Sequence, residues 1–275
     1  MYQKFLIVAC KKNLAAMNII SNLQQFRSNF IAAIGSTKPF FDIHLTEEEV
    51  LYNENLDMPK IEKYDFVIFP CTHRSESGEK TFSIHPPGNL GEAKMGGNPG
   101  KVSRVSALFQ KQMFEKLYAN VAQFDMKEFK VTMEVTHHGP TINKPCVFIE
   151  IGSEEEEWKN RRAGFIIAKT ISDTINTFEE NPYNEIAIGI GGPHYCPNFN
   201  KIQAKSNVAI SHIIPSYVSP ITEEMVMEAI KQTEEDVDFV VLDWKGFKSE
   251  QRQELIKILE KNYIQWKKTG DINKG

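Results

Sequence analysis

The chain has 275 residues, with 32 Lys and Arg against 36 Asp and Glu, which gives a formal net charge of −4 at pH 7. This balance excludes a strongly basic nucleic-acid coat protein, and 41% hydrophobic with 11% aromatic residues excludes a disordered chain. The length suffices for one large domain or two small ones. The seven histidines carry more information about function than the net charge.

The N-terminal region predicts a buried strand followed by a helix. Residues 5–9 form a short apolar run that is typical of a buried strand. Apolar residues then recur every three or four positions from Leu14 to Phe26, which predicts an amphipathic helix, and Asn13 is a plausible cap for it. Residues 66–69 predict a second buried strand.

The segment from Thr72 to Gly100 shows no hydrophobic period. It is rich in Gly, Pro and Ser and carries two histidines, His73 and His85. A long irregular stretch in a compact chain is usually functional or disordered, and the histidines favour a functional loop.

The rest of the chain alternates strands and helices more regularly. The predicted strands span 131–135, 147–151, 186–190, 208–214 and 239–242, and a short strand closes the chain. Helices are predicted over 103–124, near 223–232 and near 249–261. A further helix begins at Gly152-Ser153, where Ser153 and Glu156 form a predicted capping box. This alternation predicts an α/β protein with a mixed, largely parallel sheet flanked by helices. We expect a smaller or looser N-terminal part (1–125) and a C-terminal region (126–275), with one continuous domain as the alternative.

The cysteines and the hydrophobic pattern indicate the cellular compartment of the protein. None of the cysteines forms a C-x-x-C pair, and their apolar neighbours favour buried free thiols in a reducing compartment: Cys10, Cys71, Cys146 and Cys196. The N-terminal apolar run is too short for a signal peptide, and no run approaches the about 18 apolar residues of a membrane span. We expect a soluble cytoplasmic protein with no membrane partner, and a monomer is favoured.

Most of the histidines fall where strands give way to loops, at the edge where open α/β sheets place their sites. The six in or beside loops or at strand ends are His73, His85, His137, His138, His194 and His212. Three groups of them directly follow predicted strands, at 73, at 137–138 and at 194. If those strands run parallel, their histidines should meet at one rim.

The individual histidines differ in how strongly they indicate function. His137 and His138 are the strongest case, although adjacent residues at a strand end point to opposite faces, so at most one should face a given pocket. The other would then bond a backbone carbonyl. His73 could equally lie in an ordinary turn, and a surface role is equally open for His85. His212 lies inside a strand and reads as a core histidine.

Two carboxylates complete the candidate site. Glu134 and Glu150 lie in or beside apolar strands, where an unpaired carboxylate is costly. Neutral imidazoles with carboxylates are the ligands of a hydrolytic zinc site, but a structural pair of Glu150 with Arg or His stays open because no H-E-x-x-H spacing is present. Gly191 and Gly192 could approach a ligand closely or bind an anion through their N–H groups.

Nucleophile and phosphate-binding motifs are weaker. No G-x-S-x-G motif is present. Between residues 74 and 116, Lys and Arg outnumber Glu, which suits phosphate contacts or a mixed solvated surface equally well.

Seven short stretches together resemble the archaeal and plant-type D-aminoacyl-tRNA deacylases. In family order they are THRSES (72–77), GNLGEAKMGG (88–97), EVTHHGPT (134–141), FIEIGSEEEEW (148–158), GIGGPHYCP (189–197), SHIIPSY (211–217) and DWKG (243–246). The chain departs from the family pattern at Leu90, where an aromatic is usual, and at Pro193, where a glycine or small residue is usual.

The resemblance implies hydrolysis of the ester of D-aminoacyl-tRNA, which frees the D-amino acid in chiral proofreading. It also implies zinc dependence, the 3′ end of mischarged tRNA as partner, and a fold similar to phosphorylase/hydrolase proteins. On this basis we expect His138, His73 and Glu134 as catalytic residues and His137, His194 and Glu150 as metal ligands. The expected substrate-binding residues are Arg74, Gly88, Asn89, Gly91, Lys94, Gly191 and Gly192.

Other functions are also compatible with the sequence. One is a different hydrolase on a similar scaffold, such as a metal-dependent amidohydrolase or a nucleoside phosphorylase-like enzyme. Another is a non-catalytic RNA-binding protein. A variant of the deacylase hypothesis lets the 2′-OH of the tRNA carry the chemistry while the histidines position it.

Overall fold

Two sheets organise the part of the chain that the computed structural model describes, residues 2–26, 39–54, 56, 58–180 and 182–272. The strands are β1 (Lys4–Cys10), β2 (Phe40–Thr46), β3 (Phe66–Thr72), β4 (Thr81–His85), β5 (Gly88–Asn89), β6 (Lys101–Val102), β7 (Lys130–Met133), β8 (Cys146–Gly152), β9 (Glu185–Ile190), β10 (Val208–Ile214), β11 (Phe239–Leu242) and β12 (Trp266–Lys268). The helices are α1 (Leu14–Phe26), α2 (Met58–Ile61), α3 (Ala107–Gln123), α4 (Glu155–Lys159), α5 (Arg161–Thr177), α6 (Pro197–Lys205), α7 (Glu223–Lys231) and α8 (Ser249–Lys261).

The larger sheet has the strand order β2-β1-β3-β8-β4-β7. The first four strands are parallel to one another, whereas β4 and its parallel neighbour β7 run in the opposite direction, because β4 pairs with β8 antiparallel. The second sheet, β10-β9-β11-β12, is wholly parallel. The predicted α/β class with a mixed, largely parallel sheet is confirmed.

The main core lies where both sheets meet the longest helices. One apolar cluster joins the inward residues of both sheets, such as Phe66 and Val241, to α1, α3 and α5. A second cluster covers the other face of the large sheet, where Phe69 stacks on Phe148 with 4.8 Å between the ring centroids. A third cluster packs α7 and α8 on the outer face of the small sheet.

Helix termini follow local capping chemistry, with one difference from the prediction. Asn13 caps α1 as expected, since its Oδ1 accepts the Ala16 N–H at 3.0 Å. The predicted Ser153–Glu156 capping box is wrong. Glu154 and Glu157 form the box of α4 instead, and the Ser153 hydroxyl donates to the Glu79 carbonyl at 2.5 Å. That helix is short because Asn160 ends it and caps α5.

The segment predicted as an irregular loop contains an ordered strand. β4 (Thr81–His85) is buried along its whole length, and β5 follows it. Phe82 and Ile84 alternate with polar residues, a period-two pattern that identifies a half-apolar strand. The flanking Gly and Pro residues obscured that pattern over a window of this length.

A short segment after β7 connects the two sheets. The Val135 N–H donates to the His194 carbonyl at 3.0 Å, and the Thr136 N–H donates to the Ile213 carbonyl at 2.9 Å. The stretch that follows β7, an edge strand of the large sheet, is therefore hydrogen-bonded both to the loop after β9 and to β10 of the small sheet.

The large sheet takes strands from both sides of residue 125, since β1 to β4 precede it and β7 and β8 follow it. The division at that residue stays a prediction. Among the helices described, none combines the length and the apolar character needed to cross a bilayer.

His212 lies in β10 and is fully buried, as expected for a core histidine. Its Nδ1 is 3.1 Å from the Thr136 hydroxyl, while its Nε2 has no hydrogen-bond partner among the described residues. Burial, which backbone contacts offset only in part, lowers the pKa of His212 to about 3.

This shift predicts acid sensitivity of the fold. The unfolded chain protonates His212 near pH 6.5, while the folded protein does not, so unfolding becomes easier as the pH falls below 6.5. The stability advantage of the wild type over His212→Gln should shrink by roughly 1.4 kcal/mol between pH 7.5 and 5.5. Urea denaturation of both proteins at both pH values measures this change, and an advantage that stays constant would contradict it.

Candidate active site

Glu134 is the centre of a cluster of histidines. Its Oε1 lies 3.1 Å from His73 Nδ1, and its Oε2 lies 2.9 Å from His194 Nε2 and 3.4 Å from His137 Nε2. The carboxylate itself is 0% exposed. Three histidines that are distant in sequence thus meet at one buried charge.

The predicted convergence is present, but the predicted reason for it is wrong. The strand before His73 (β3) and the strand before His137 (β7) run in opposite directions, and β9, before His194, belongs to the other sheet. The residues meet because the segment after β7 lies between the sheets and is hydrogen-bonded to the His194 backbone.

His137 and His138 both turn toward the site, contrary to the prediction from strand alternation. The backbone of His138 adopts a left-handed conformation (φ 42°), which breaks the alternation. The Nδ1 of His137 donates to the Val135 carbonyl at 2.8 Å, and that of His138 donates to the Gly139 carbonyl at 2.7 Å. Each ring is therefore left with an unprotonated Nε2, which can bind a cation or accept a proton.

His85 belongs to the site and not to the surface. It is 0% exposed, and its ring centroid lies 4.2 Å from that of His137 and 4.9 Å from that of His138. Its Nε2 lies 3.7 Å from Glu150 Oε1. Burial opposes protonation, but the Glu150 and Glu134 carboxylates outweigh it and raise the pKa of His85.

His73 is held between carboxylates and a phenol. Its Nδ1 is 3.5 Å from Glu150 Oε2, in addition to its contact with Glu134, and its Nε2 is 2.8 Å from the Tyr195 hydroxyl. Burial disfavours the imidazolium, yet Glu150 and Glu134 raise the pKa of His73 to about 10.

His137, His138 and the two carboxyl groups have pKa values below their usual ranges. Burial and the charges of neighbouring histidines lower the pKa of His137 well below its usual range and that of His138 to about 4. Burial opposes ionisation of Glu134 and Glu150, but the surrounding imidazoles hold both carboxyl pKa values low. Ionised carboxylates therefore face neutral His137 and His138.

The donor set fits a cation. Within the described residues, neither oxygen of Glu134 nor the Nε2 of His85 receives a hydrogen bond, although all three atoms are buried. Such unpaired buried groups are costly unless a positive charge lies between them. Three triads have ligand atoms that all lie within 4.8 Å of one another: His73/Glu134/His194, His85/Glu134/Glu150 and His85/His137/His138.

Two cavities meet at the wall formed by His137 and His138. One, of about 470 Å³, also contains His73, Glu150 and His194. The other, of about 560 Å³, lies on the side of the 88–94 loop and Tyr217. A ligand that reaches both cavities must therefore pass the two imidazoles.

The predicted glycine loop lines the second cavity through Gly88, Asn89, Gly91 and Lys94. Gly88 does not offer its N–H to a ligand, because that group donates to the His138 carbonyl at 2.7 Å. A Cβ at Gly88 would lie 2.5 Å from Val102 atoms. The glycine thus positions the histidine turn, while Asn89 donates to the Gly96 carbonyl at 2.8 Å and holds the loop.

Gly191 and Gly192 lie away from the cavities described above. The Gly191 N–H donates to the Ile214 carbonyl at 2.7 Å, so it is not available for an anion. A Cβ at Gly191 would lie 2.6 Å from the Phe247 ring, which explains the glycine by packing. Their substrate-binding role stays a prediction.

The predicted excess of positive charge is largely neutralised by ion pairs. Lys101 pairs with Glu228 at 3.4 Å, Arg104 pairs with Glu234, and the side chain of Lys111 is fully buried. Arg74 stays exposed at the edge of the first cavity, where its guanidinium lies 4.8 Å from the Trp158 ring centroid.

Asn13 and Glu49, which line the first cavity, and Tyr195, which contacts His73 at its border, are among the residues whose place at the site was not predicted from the sequence. Tyr195 follows His194 directly, and a phenol next to a candidate ligand is a signal that could have been weighed. Glu49 precedes a short helical turn far from the motifs, and no local pattern marks it.

Comparison with known proteins gives a consistent result over nearly the whole chain. A family model described as D-aminoacyl-tRNA deacylase matches residues 60–267. The D-aminoacyl-tRNA deacylase of Methanocaldococcus jannaschii is 33% identical over 273 residues, which cover 96% of this chain and 99% of that protein. That of Thermococcus onnurineus is 35% identical over 262 residues, which cover 90% and 93%.

A solved structure shares the fold. The crystal structure of a conserved protein of unknown function, AF0625, superposes with a TM-score of 0.87 at 30% identity and covers 98% of this chain and 96% of that one. The similarity therefore extends over both sheets and the segment between them.

Proposed function

The chain belongs to the D-aminoacyl-tRNA deacylase family and hydrolyses D-aminoacyl-tRNA, and we propose that the ester is cleaved at the histidine cluster around Glu134. The observation that carries this placement is the wholly buried Glu134 carboxylate, which has three imidazoles in contact and no hydrogen bond within the described residues. A buried carboxylate that accepts no hydrogen bond is costly to the fold, and such groups are concentrated at sites that bind a ligand or carry out a reaction.

The two cavities suit the two halves of the substrate. The terminal adenosine at the 3′ end of the tRNA would occupy the cavity beside Gly88, Asn89 and Lys94. The aminoacyl group would enter the cavity that contains His73 and Glu150. The ester bond then crosses the wall formed by the two adjacent histidines, where the cavities meet.

We assign the metal to the triad His73, Glu134 and His194, whose ligand atoms converge within 4.8 Å. The ligands expected from the sequence were His137, His194 and Glu150; His194 belongs to this triad, and His137 and Glu150 border it. Zinc is the metal that a set of imidazoles and carboxylates suits. When bound, zinc supplies a positive charge that polarises an ester carbonyl and favours ionisation of water.

His138 is the proposed general base. Its Nδ1 proton is held by the Gly139 carbonyl, and its lowered pKa keeps Nε2 unprotonated at neutral pH. It can therefore take a proton from the water that attacks the ester carbonyl carbon. As the bond between the carbonyl carbon and the 3′-oxygen breaks, His138 gives this proton to the 3′-oxygen, and the products are the free D-amino acid and tRNA. A soluble, cytoplasmic monomer that acts on mischarged tRNA fits this role.

Parallel assays with D-tyrosyl-tRNA and L-tyrosyl-tRNA test this function. We expect hydrolysis of the D-ester at a rate at least about 100-fold above that of the L-ester, because an L side chain would point into the cavity wall. Equal rates would overturn the proofreading role. Binding of both substrates without turnover would instead support a non-catalytic RNA-binding protein.

A further inference from the structure

Glu49 is a carboxylate that lines the first cavity. It precedes the short helical turn Val50–Tyr52, but its side chain makes no capping hydrogen bond there. It is half-buried and lines the cavity together with Thr72 and the site histidines. Among the described residues, its side chain contacts one polar group, the amide nitrogen of Asn13, at 3.3 Å.

Asn13 fixes the orientation of that carboxylate. Because the Asn13 Oδ1 accepts the Ala16 N–H at the start of α1, its Nδ2 must point into the cavity. There it donates to Glu49 Oε2 and to the Thr72 hydroxyl, the latter at 3.1 Å. The Glu49 Oε1 and a lone pair of the Thr72 hydroxyl remain as acceptors for a ligand.

Asn13 and Cys71 connect Glu49 to Glu150 of the site. Asn13 Nδ2 lies 3.2 Å from Cys71 Sγ, and Cys71 is the cross-strand neighbour of Glu150 on the same face of the sheet. Glu49 thus lines the same cavity as the site histidines, and Asn13 links it to Cys71 and Thr72 at the end of β3.

An aminoacyl ester carries a cationic ammonium group one carbon away from the carbonyl that reacts. We propose that Glu49 binds the α-ammonium group of the D-aminoacyl ester, an inference that rests on the proposed function. With the carbonyl at the histidines and the ammonium at Glu49, two of the four substituents of the α-carbon are held in place. Only one of the other two, the hydrogen or the side chain, can then face the open part of the cavity. That part is lined by Leu51, Tyr52 and Met95, where an apolar side chain fits.

Glu49 therefore determines both substrate class and handedness. Exchange of D for L swaps the hydrogen and the side chain, which turns the side chain toward the cavity wall while the ammonium and carbonyl stay bound. A carboxylate–ammonium contact is a charge-assisted hydrogen bond, which corresponds to about 10- to 100-fold in affinity.

Binding of an unreactive pair of probes tests the proposal. One probe is 3′-amino-3′-deoxyadenosine acylated with D-tyrosine through a 3′-amide, and the other is the same amide without the α-amino group. Titration calorimetry should show the wild type preferring the first by about 10- to 100-fold. Glu49→Gln should lose this preference, and Glu48→Gln, which removes the same charge from the adjacent exposed residue, should keep it.

Several outcomes would overturn the proposal. A wild type without the preference, a Glu49→Gln variant that retains it, or equal weakening of both probes by that variant would each do so. A melting temperature of Glu49→Gln equal to that of Glu48→Gln checks that the fold is intact. Because neither probe can be hydrolysed, the result is independent of turnover, and a failure of the deacylase assay is recognised separately.

Steady-state kinetics of the Glu49→Gln variant provide a second test of the ammonium contact. Glu49→Gln should raise KM for D-tyrosyl-tRNA by about 10-fold or more, because the ammonium contact is present before the reaction. With N-acetyl-D-tyrosyl-tRNA, which has no ammonium charge, wild type and variant should have kcat/KM values within about twofold. A similar loss on both substrates would indicate a structural role for Glu49.

Discussion

Glu134→Gln is expected to lower kcat/KM for D-tyrosyl-tRNA by about 10²- to 10⁴-fold. Glutamine keeps the size of the side chain but removes the negative charge that faces His73, His137 and His194. It also places an amide N–H₂ where the proposed metal requires an acceptor. Steady-state deacylation assays and the metal content of the purified variant measure the two effects together.

The matched control is Glu157→Gln. Glu157 is a buried glutamate outside the cluster, where it pairs with Lys80 at 3.3 Å and accepts the Glu154 N–H at 3.1 Å. Glutamine can keep that capping hydrogen bond, so activity should stay near wild type. If Glu134→Gln retained activity within about threefold of wild type, the reaction could not depend on this carboxylate.

Removal of metal is expected to have an effect of similar size. Stringent chelation should abolish hydrolysis of D-tyrosyl-tRNA, and zinc should restore it, because a metal held by His73, Glu134 and His194 would polarise the ester carbonyl. Elemental analysis of the chelated protein must accompany the assay.

Thermal unfolding gives an independent readout of the same site. Zinc at about 100 times its dissociation constant should stabilise the folded wild type by about 2.7 kcal/mol and leave Glu134→Gln almost unchanged. Full activity of verified metal-free protein would contradict the metal assignment. That result would favour chemistry by the 2′-OH of the tRNA, with the histidines in a positioning role.

The sequence predicted the regular elements well where burial follows a simple period. The limits of β10, β11 and α8 agree with the prediction, because continuous apolar runs and 3.6-residue spacing are local properties. β4 escaped prediction because the glycines and prolines on either side conceal its alternation of Phe82 and Ile84.

The sequence predicted which residues form the candidate site better than it predicted how they are arranged in space. Residue type and position before or after a strand pointed to His73, His137, His194 and Glu134, which the structure brings together. The inclusion of His85 depends on β4 pairing with β8 antiparallel, a non-local contact that the local sequence does not encode.

The sequence by itself determined the α/β class, the family and the identity of the groups that can do chemistry, since propensity and motif are read along the chain. Only the tertiary structure decided how those groups face one another. Its two decisive features are the left-handed backbone at His138 and the hydrogen bonds that hold the segment after β7 between the sheets. Both involve contacts between residues distant in sequence, and these contacts place a buried carboxylate among imidazoles in the cavity that Glu49 also lines.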